Sequence, residues 1–294
     1  KSFFKDVCER FVKNKRAMIA LVIFLIIALM AIFGPMISPY SYDGMDTAIM
    51  NQRPSAAHWF GTDRFGRDLF TRVLYGARIS LMVGIVTAVI NTIIGVIYGG
   101  IAGYVGGRVD MWMMRLTDIL YSIPELLYII LIMLIFGSNV RSIIIGVCVA
   151  GWISMARMVR SQIITLKEQE FALAAFVLGA NSRRILFKHL IVNSLGTIIV
   201  TVTLMIPQAI FMEAFLSFVG VGISAPMASL GTLAQDARTY LEIFPYQMLF
   251  PVAAICVTIF SLNFIGEGLN SALNPKGRRH AYETLGNKKS DNRI

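Results

Sequence analysis

The chain has 294 residues, 56% hydrophobic and only 15% charged, with a mean hydropathy of +0.68. A soluble domain carries about 25% charged residues, so this composition excludes an ordinary soluble protein and points to an integral membrane protein. The net charge of +10 is therefore tested first as a topology signal, before any nucleic-acid partner is invoked.

Residues 1–16 are basic. The uncharged run at 17–37 has 21 residues and lacks a small-x-small cleavage site. It reads as a first span, not a cleaved signal. Residues 79–107 give 29 uncharged positions, a second span with length to spare for tilt. A third covers about 113–136 and holds Asp118, Pro124 and Glu125. A shorter fourth covers 142–156, with Arg157 and Arg160 at its end able to snorkel. A fifth, 196–218, contains Pro207 and Glu213, and a sixth runs over 246–265. The predicted fold is all-α: a polytopic membrane protein with six transmembrane helices. An amino-terminal segment (1–16) leads into a membrane domain (17–272), and a polar tail (273–294) follows, expected to be partly disordered.

Six spans place both termini on one side. Of the Lys and Arg residues, 20 fall on that side, in the termini and the 108–115 and 157–195 loops, against 7 on the other. Basic residues favour the cytoplasm, so both termini are expected there and no nucleic-acid partner is needed.

The 157–195 loop is long for a structureless connection, which argues for function. In "EFALAAFVLGANSRRILFKHL" (170–190), Ala172, Ala175, Phe176 and Gly179 fall at i, i+3, i+4 and i+7, one face of a helix. The run Gly179-Ala180-Asn181-Ser182 breaks it. Asn181 or Ser182 can cap a second helix carrying Arg183, Arg184, Lys188 and His189. The expected unit is a helix–turn–helix outside the bilayer. Its small-residue face either receives another protein surface or rests on lipid head groups.

Candidate chemistry is sparse. Cys8, Cys148 and Cys256 are far apart, and His58, His189 and His280 are scattered, so a metal site is not expected and the histidines read as surface or helix-end residues. "GTDRFGRD" (61–68) has phosphate-loop glycine spacing, but Arg67 and Asp68 stand where lysine and Ser/Thr are needed, and an aspartate repels phosphate. Any ATP chemistry must lie on another chain. Glu125, after Pro124 and with Asp118 at i−7, is the main intramembrane oddity. A carboxylate there costs about 2.5–3.5 kcal/mol on insertion scales. It either lines a translocation path or bonds a polar group on a neighbouring helix or subunit.

Four stretches together carry a family resemblance: "HWFGTDRFGRDLFTRVLYGARISL" (58–81), "WISMARMVRSQIITLKEQEFALAAFVLGANSRRILFKHLIVN" (152–193), "EAFLSFVGVGISAP" (213–226) and "NFIGEGLNSALNPK" (263–276). They resemble, in order and spacing, the C-type permease subunits of the oligopeptide, dipeptide and nickel branch of the ABC importers. The resemblance implies a bacterial inner-membrane protein that forms a pathway with a second permease subunit. It implies two ATPase subunits carrying ATP and Mg, an extracellular substrate-binding protein, and no cofactor on this chain. It implies ATPase coupling at Ala174, Ala175 and Gly179, with Ala180 and Arg183 beside them; the intramembrane carboxylates Glu125 and Asp118 are, by their charge, the candidates for a path lining. Leu173 stands where the family has glutamate and Val192 where it has proline, so the glutamate's part cannot be carried over. Peptide import is the expected function. A nickel-chelate cargo and a proton-coupled secondary transporter, relaying through Glu125 and Asp118, are the alternatives.

Overall fold

A computed structural model describes residues 3–273. The expected tail, with His280, lies outside the described residues except for Leu273. Among those residues the chain is helical, with one isolated bridge between Thr62 and Asp68.

An amphipathic helix α1 (Phe3–Lys13) precedes α2 (Lys15–Ile37), and Asn14 caps the junction by accepting from the Ala17 amide at 3.3 Å. The segment 38–68 folds over one end of the molecule. From there α3 (Leu69–Val105) runs back. Its 37 residues make it about 55 Å long at 1.5 Å per residue, well beyond a hydrocarbon core of about 30 Å.

The helix begins ten residues before the uncharged run because Arg72 and Arg78 are accommodated. Arg72 is 2% exposed beside Asp63 and Asp236, and Arg78 donates to the Ala31 carbonyl of α2 at 3.2 Å.

Next come α4 (Gly107–Tyr121) and α5 (Glu125–Phe136), bent by 74° across Ser122-Ile123-Pro124. The sequence reads this as one span. Pro124 lacks an amide proton, and its ring disfavours helical geometry in the residue before it, so the helix stops and restarts. Helices α6 (Val140–Ala150) and α7 (Trp152–Lys167) meet at Gly151 and together are long and apolar enough to span. Then follow α8 (Glu170–Val177), a short α9 (Ser182–Arg184), a π-helical turn (Ile185–Leu190) and α10 (Ile191–Val219). The cap helix α11 (Leu230–Arg238) and α12 (Tyr246–Leu273) complete the described residues. Among the described residues, five helical stretches are long and apolar enough to cross a membrane, and α4–α5 makes a sixth if the bent pair is one span.

Helix α3 is the axis of the bundle, and its closest partner is α7. Gly95, Gly99 and Gly103 form a stripe at i, i+4 and i+8. A Cβ at Gly95 would lie 2.6 Å from Met155 Cβ, one at Gly103 would lie 2.7 Å from the Arg160 carbonyl, and one at Gly99 would enter the Ala156 backbone. In lipid, helices associate through such close approach because hydrocarbon is no less apolar than a side chain.

At the cap end, Val73, Leu81, Ile210, Leu230 and Leu233 form one core; at the opposite end, Val159, Ile163, Ala172, Ile185, Leu186 and Leu190 form another.

Candidate functional site

Two places stand out: the α8 turn and a cleft at the α4–α5 break.

The α8 turn is built by two residues. Gly179 sits at φ +80°, a left-handed conformation that side chains oppose, and the Ala180 amide closes the helix by donating to the Ala175 carbonyl at 3.0 Å. Asn181 Oδ1 then accepts from the Arg184 amide at 2.8 Å and starts the next helix. The expected second helix is not separate: it passes through the π turn into α10.

The faces of α8 also differ from the sequence expectation. Ala172 and Ala175 are buried in the chain's own core, where their small side chains let α8 lie close to α7 and the π turn. The predicted face is thus split: Ala172 and Ala175 are occupied, while Phe176 and Gly179 stay exposed. The opposite edge is bare and apolar: Leu173, Phe176, Val177 and Leu178 are 56%, 70%, 82% and 86% exposed. Ala174, Gly179 and Arg183 are exposed with it, while Ala180 is half-buried. Nothing within 4 Å would meet a Cβ at Gly179, so its role inside this chain is the turn and not close packing.

The cleft has a volume of about 670 Å³, within the roughly 300–1,000 Å³ typical of small-molecule sites. Its walls come from the α4–α5 break (Tyr121, Pro124, Glu125), from Asn91 of α3, from Ser154 of α7, from Gln208 of α10 and from Asn263 of α12. Glu125 is half-buried and opens α5. Asp118 is not among the lining residues. It is 59% exposed and bound to Arg157 at 2.9 Å. The neighbouring Arg160 forks onto both oxygens of Asp110. Arg157 and Arg160 therefore clamp α7 to α4. Glu125 thus faces the cleft, while Asp118 is engaged with Arg157.

Sequence reasoning missed Asn91, which is 3% exposed and whose Oδ1 has no hydrogen-bond partner. The lone side-chain amide within a 29-residue uncharged run was the available signal. It missed the glycine stripe too, although a G-x-x-x-G-x-x-x-G spacing is legible at 95–103.

At the cap, His58 is no surface residue: it is 6% exposed and its Nδ1 lies 2.9 Å from Asp68 Oδ1. Asp68 also caps α3 by accepting from the Thr71 amide at 2.8 Å. The carboxylate thus occupies the helix end that a phosphate would need. Asp63 accepts from Arg67 Nε at 2.6 Å, closing the glycine-spaced loop on itself.

The family described as binding-protein-dependent transport system inner membrane component matches residues 95–279, more than half of the chain. The chain belongs to this family. A second family, the N-terminal TM domain of oligopeptide transport permease C, matches residues 2–54 of the permease. The permease is 49% identical to the oligopeptide transport system permease protein OppC of Bacillus subtilis, over 95% of this chain and 91% of that protein. It is 48% identical to the dipeptide transport system permease protein DppC of Bacillus subtilis, over 95% and 87%. It is 45% identical to OppC of Escherichia coli, over 95% and 93%. The resemblance read from the four sequence stretches holds, and the permease is a multi-pass inner-membrane component of a transport system. Membership of a binding-protein-dependent family weighs against the proton-coupled alternative.

Proposed function

We propose that the permease moves oligopeptides or dipeptides into the cell as one half of a membrane pathway completed by a second permease chain. ATP, with Mg, is hydrolysed on two partner ATPase subunits, and an extracellular binding protein delivers the cargo. Both termini and the 157–195 loop face the cytoplasm, in keeping with the asymmetry of Lys and Arg.

The observation that carries the coupling is the bare edge of α8. Four large apolar side chains stand exposed on a short helix beside exposed Arg183 and Arg184. Solvent does not favour such a patch, and an apolar groove on a partner does. Ala174, Ala175, Gly179, Ala180 and Arg183 serve this docking in different ways. Ala175 and Ala180 seat α8 on α7, Gly179 sets the turn, and Ala174 and Arg183 border the contact.

Movement of α8 has a material route to the cleft. Ala172 and Ala175 press on α7 near Ile163. The Arg157–Asp118 and Arg160–Asp110 pairs tie α7 to α4. The break at 122–124 then carries Glu125 on the path wall. Peptide cargo is supported by what the similar OppC and DppC proteins are named for.

The test is reconstitution. The chain, co-expressed with its partner permease, ATPases and binding protein, should co-purify with them and take up labelled peptide in proteoliposomes only with ATP. Co-purification without ATPase subunits, or uptake driven by a proton gradient alone, overturns the reading.

A further inference from the structure

We propose that Glu125 reads a primary ammonium group on the cargo as it passes the cleft. This deepens the peptide-permease reading and rests on it.

Four observations support the assignment. Glu125 is the one charged side chain among the residues lining the cleft. Its carboxylate has no hydrogen bond or ion pair among the described residues. The nearby cation Arg157 is committed to Asp118 at 2.9 Å and stacks over the Tyr121 ring at 4.7 Å. Glu125 is also the first residue of the 12-residue α5, where the helix dipole favours a negative charge without neutralising it by a proton or a partner.

The surroundings supply an acceptor as well. Asn91 is 97% removed from solvent, being 3% exposed, yet its Oδ1 has no partner. Gln208 and Asn263 bring two further amides to the same walls. A buried acceptor left unpaired is disfavoured, and native proteins rarely keep one without a use. An anion beside one unpaired amide oxygen complements a group with three N–H donors and a positive charge. In peptides that group is the α-ammonium or a lysine side chain.

The experiment uses the whole reconstituted complex and three tripeptides of equal length: Ala-Ala-Ala, its N-acetylated form, and N-acetyl-Ala-Lys-Ala. Uptake is measured for wild type and for Glu125→Gln, which keeps the shape and removes the charge. The ratio of ammonium-bearing to ammonium-free uptake should fall about tenfold, the scale of one lost charge-assisted hydrogen bond. A fall confined to Ala-Ala-Ala assigns the α-ammonium, and one confined to the lysine peptide assigns the side chain. An unchanged ratio overturns the proposal, whether total uptake is preserved or reduced. Should Glu125→Gln prevent assembly, Gln208→Lys on the same wall supplies a resident cation and should lower the same ratio; no change there overturns the proposal too. Failure of wild type to take up any of the three refutes the peptide reading itself. Normal wild-type uptake with an unchanged mutant ratio refutes this inference alone.

Discussion

Glu213 shows how a carboxylate is held inside this bundle. It is fully buried, and it accepts from Ser80 Oγ at 2.7 Å and from Ser217 Oγ at 2.8 Å. Ser80 also lies 3.4 Å from the Leu230 amide. One side chain thereby joins α3, α10 and the start of α11. Removing it leaves two buried hydroxyls without an acceptor, and an unsatisfied buried group costs about 1–3 kcal/mol. Glu213→Ala should lower the thermal midpoint of the purified permease in detergent, while Glu213→Gln, which keeps an acceptor, should lose less. Equal loss in the two variants would show that the carboxylate matters as a charge and not as an acceptor. At this scale the sequence was readable for Glu213 and Glu125, because a charge in an apolar run is visible by eye. It was not readable for Asn91. An uncharged amide barely disturbs hydropathy, and its significance lies in having no partner, which only the fold can reveal.

Among the elements, α8 separates what periodicity tells from what it does not. The glycine and the cap at 179–182 locate the turn, because few residues tolerate φ +80° or supply an oxygen to a free helix amide. Periodicity groups residues onto faces but does not say which face packs on the parent chain. Here Ala172 and Ala175 face inward and the bulky residues outward.

That inversion decides which variants test the docking. Ala175→Trp would strike the permease's own core, so uncoupling by it would say nothing about a partner. Phe176→Ser and Leu178→Ser change only the bare edge. Each should reduce transport and cargo-stimulated ATPase activity severalfold, with insertion and yield unchanged, and the pair should approach full uncoupling. Intact coupled transport in the double variant would remove α8 as the docking element. Leu173 is exposed on the same edge. Leu173→Glu should therefore fold normally and report on the partner groove alone.

Close helix packing makes a second prediction at this scale. Gly99 faces the Ala156 backbone with no space for a side chain. Gly99→Leu must push α7 from α3, and overpacking typically costs about 1–3 kcal/mol. Because α7 carries both the α8 seat and the ion pairs to α4, the change should depress transport beyond its effect on stability. Gly106, with nothing within 4 Å of an added Cβ, is the control for packing. Its φ of +69° makes Gly106→Ala a turn defect with no helix separation. Equal effects of the two variants on a cysteine cross-link between α3 and α7 would refute the packing account.

For the whole molecule, the span pattern was the most legible feature, because a hydrocarbon slab of fixed thickness selects apolar runs of fixed length. Span ends were less legible. α3 gains ten residues over its uncharged run because Arg72 is screened by Asp63 and Asp236, partners 9 and 164 residues away in sequence. α4–α5 bends where a hydropathy window averages over the proline. Orientation rests on the excess of basic residues, 20 against 7, and the two ends of the fold differ accordingly. At the cap end Arg67 pairs with Asp63, and Arg64 and Arg67 of the 38–68 segment gather with Arg72 of α3 around Asp236 of α11. The opposite end leaves Lys13, Lys15, Arg16, Arg183 and Arg184 exposed. Lys and Arg residues near the span ends resist translocation, so the count itself predicts the orientation. The prediction follows with Cys8, Cys148 and Cys256 replaced by serine. Ser55→Cys, exposed on the cap, should react with an impermeant maleimide added to intact cells. Glu168→Cys, exposed between α7 and α8, should react only after permeabilisation. Labelling of Glu168→Cys alone in intact cells would invert the protein and place α8 where no ATPase can reach it. Labelling of both would mean that α4–α5 does not cross as one span, leaving five crossings and the two termini on opposite sides.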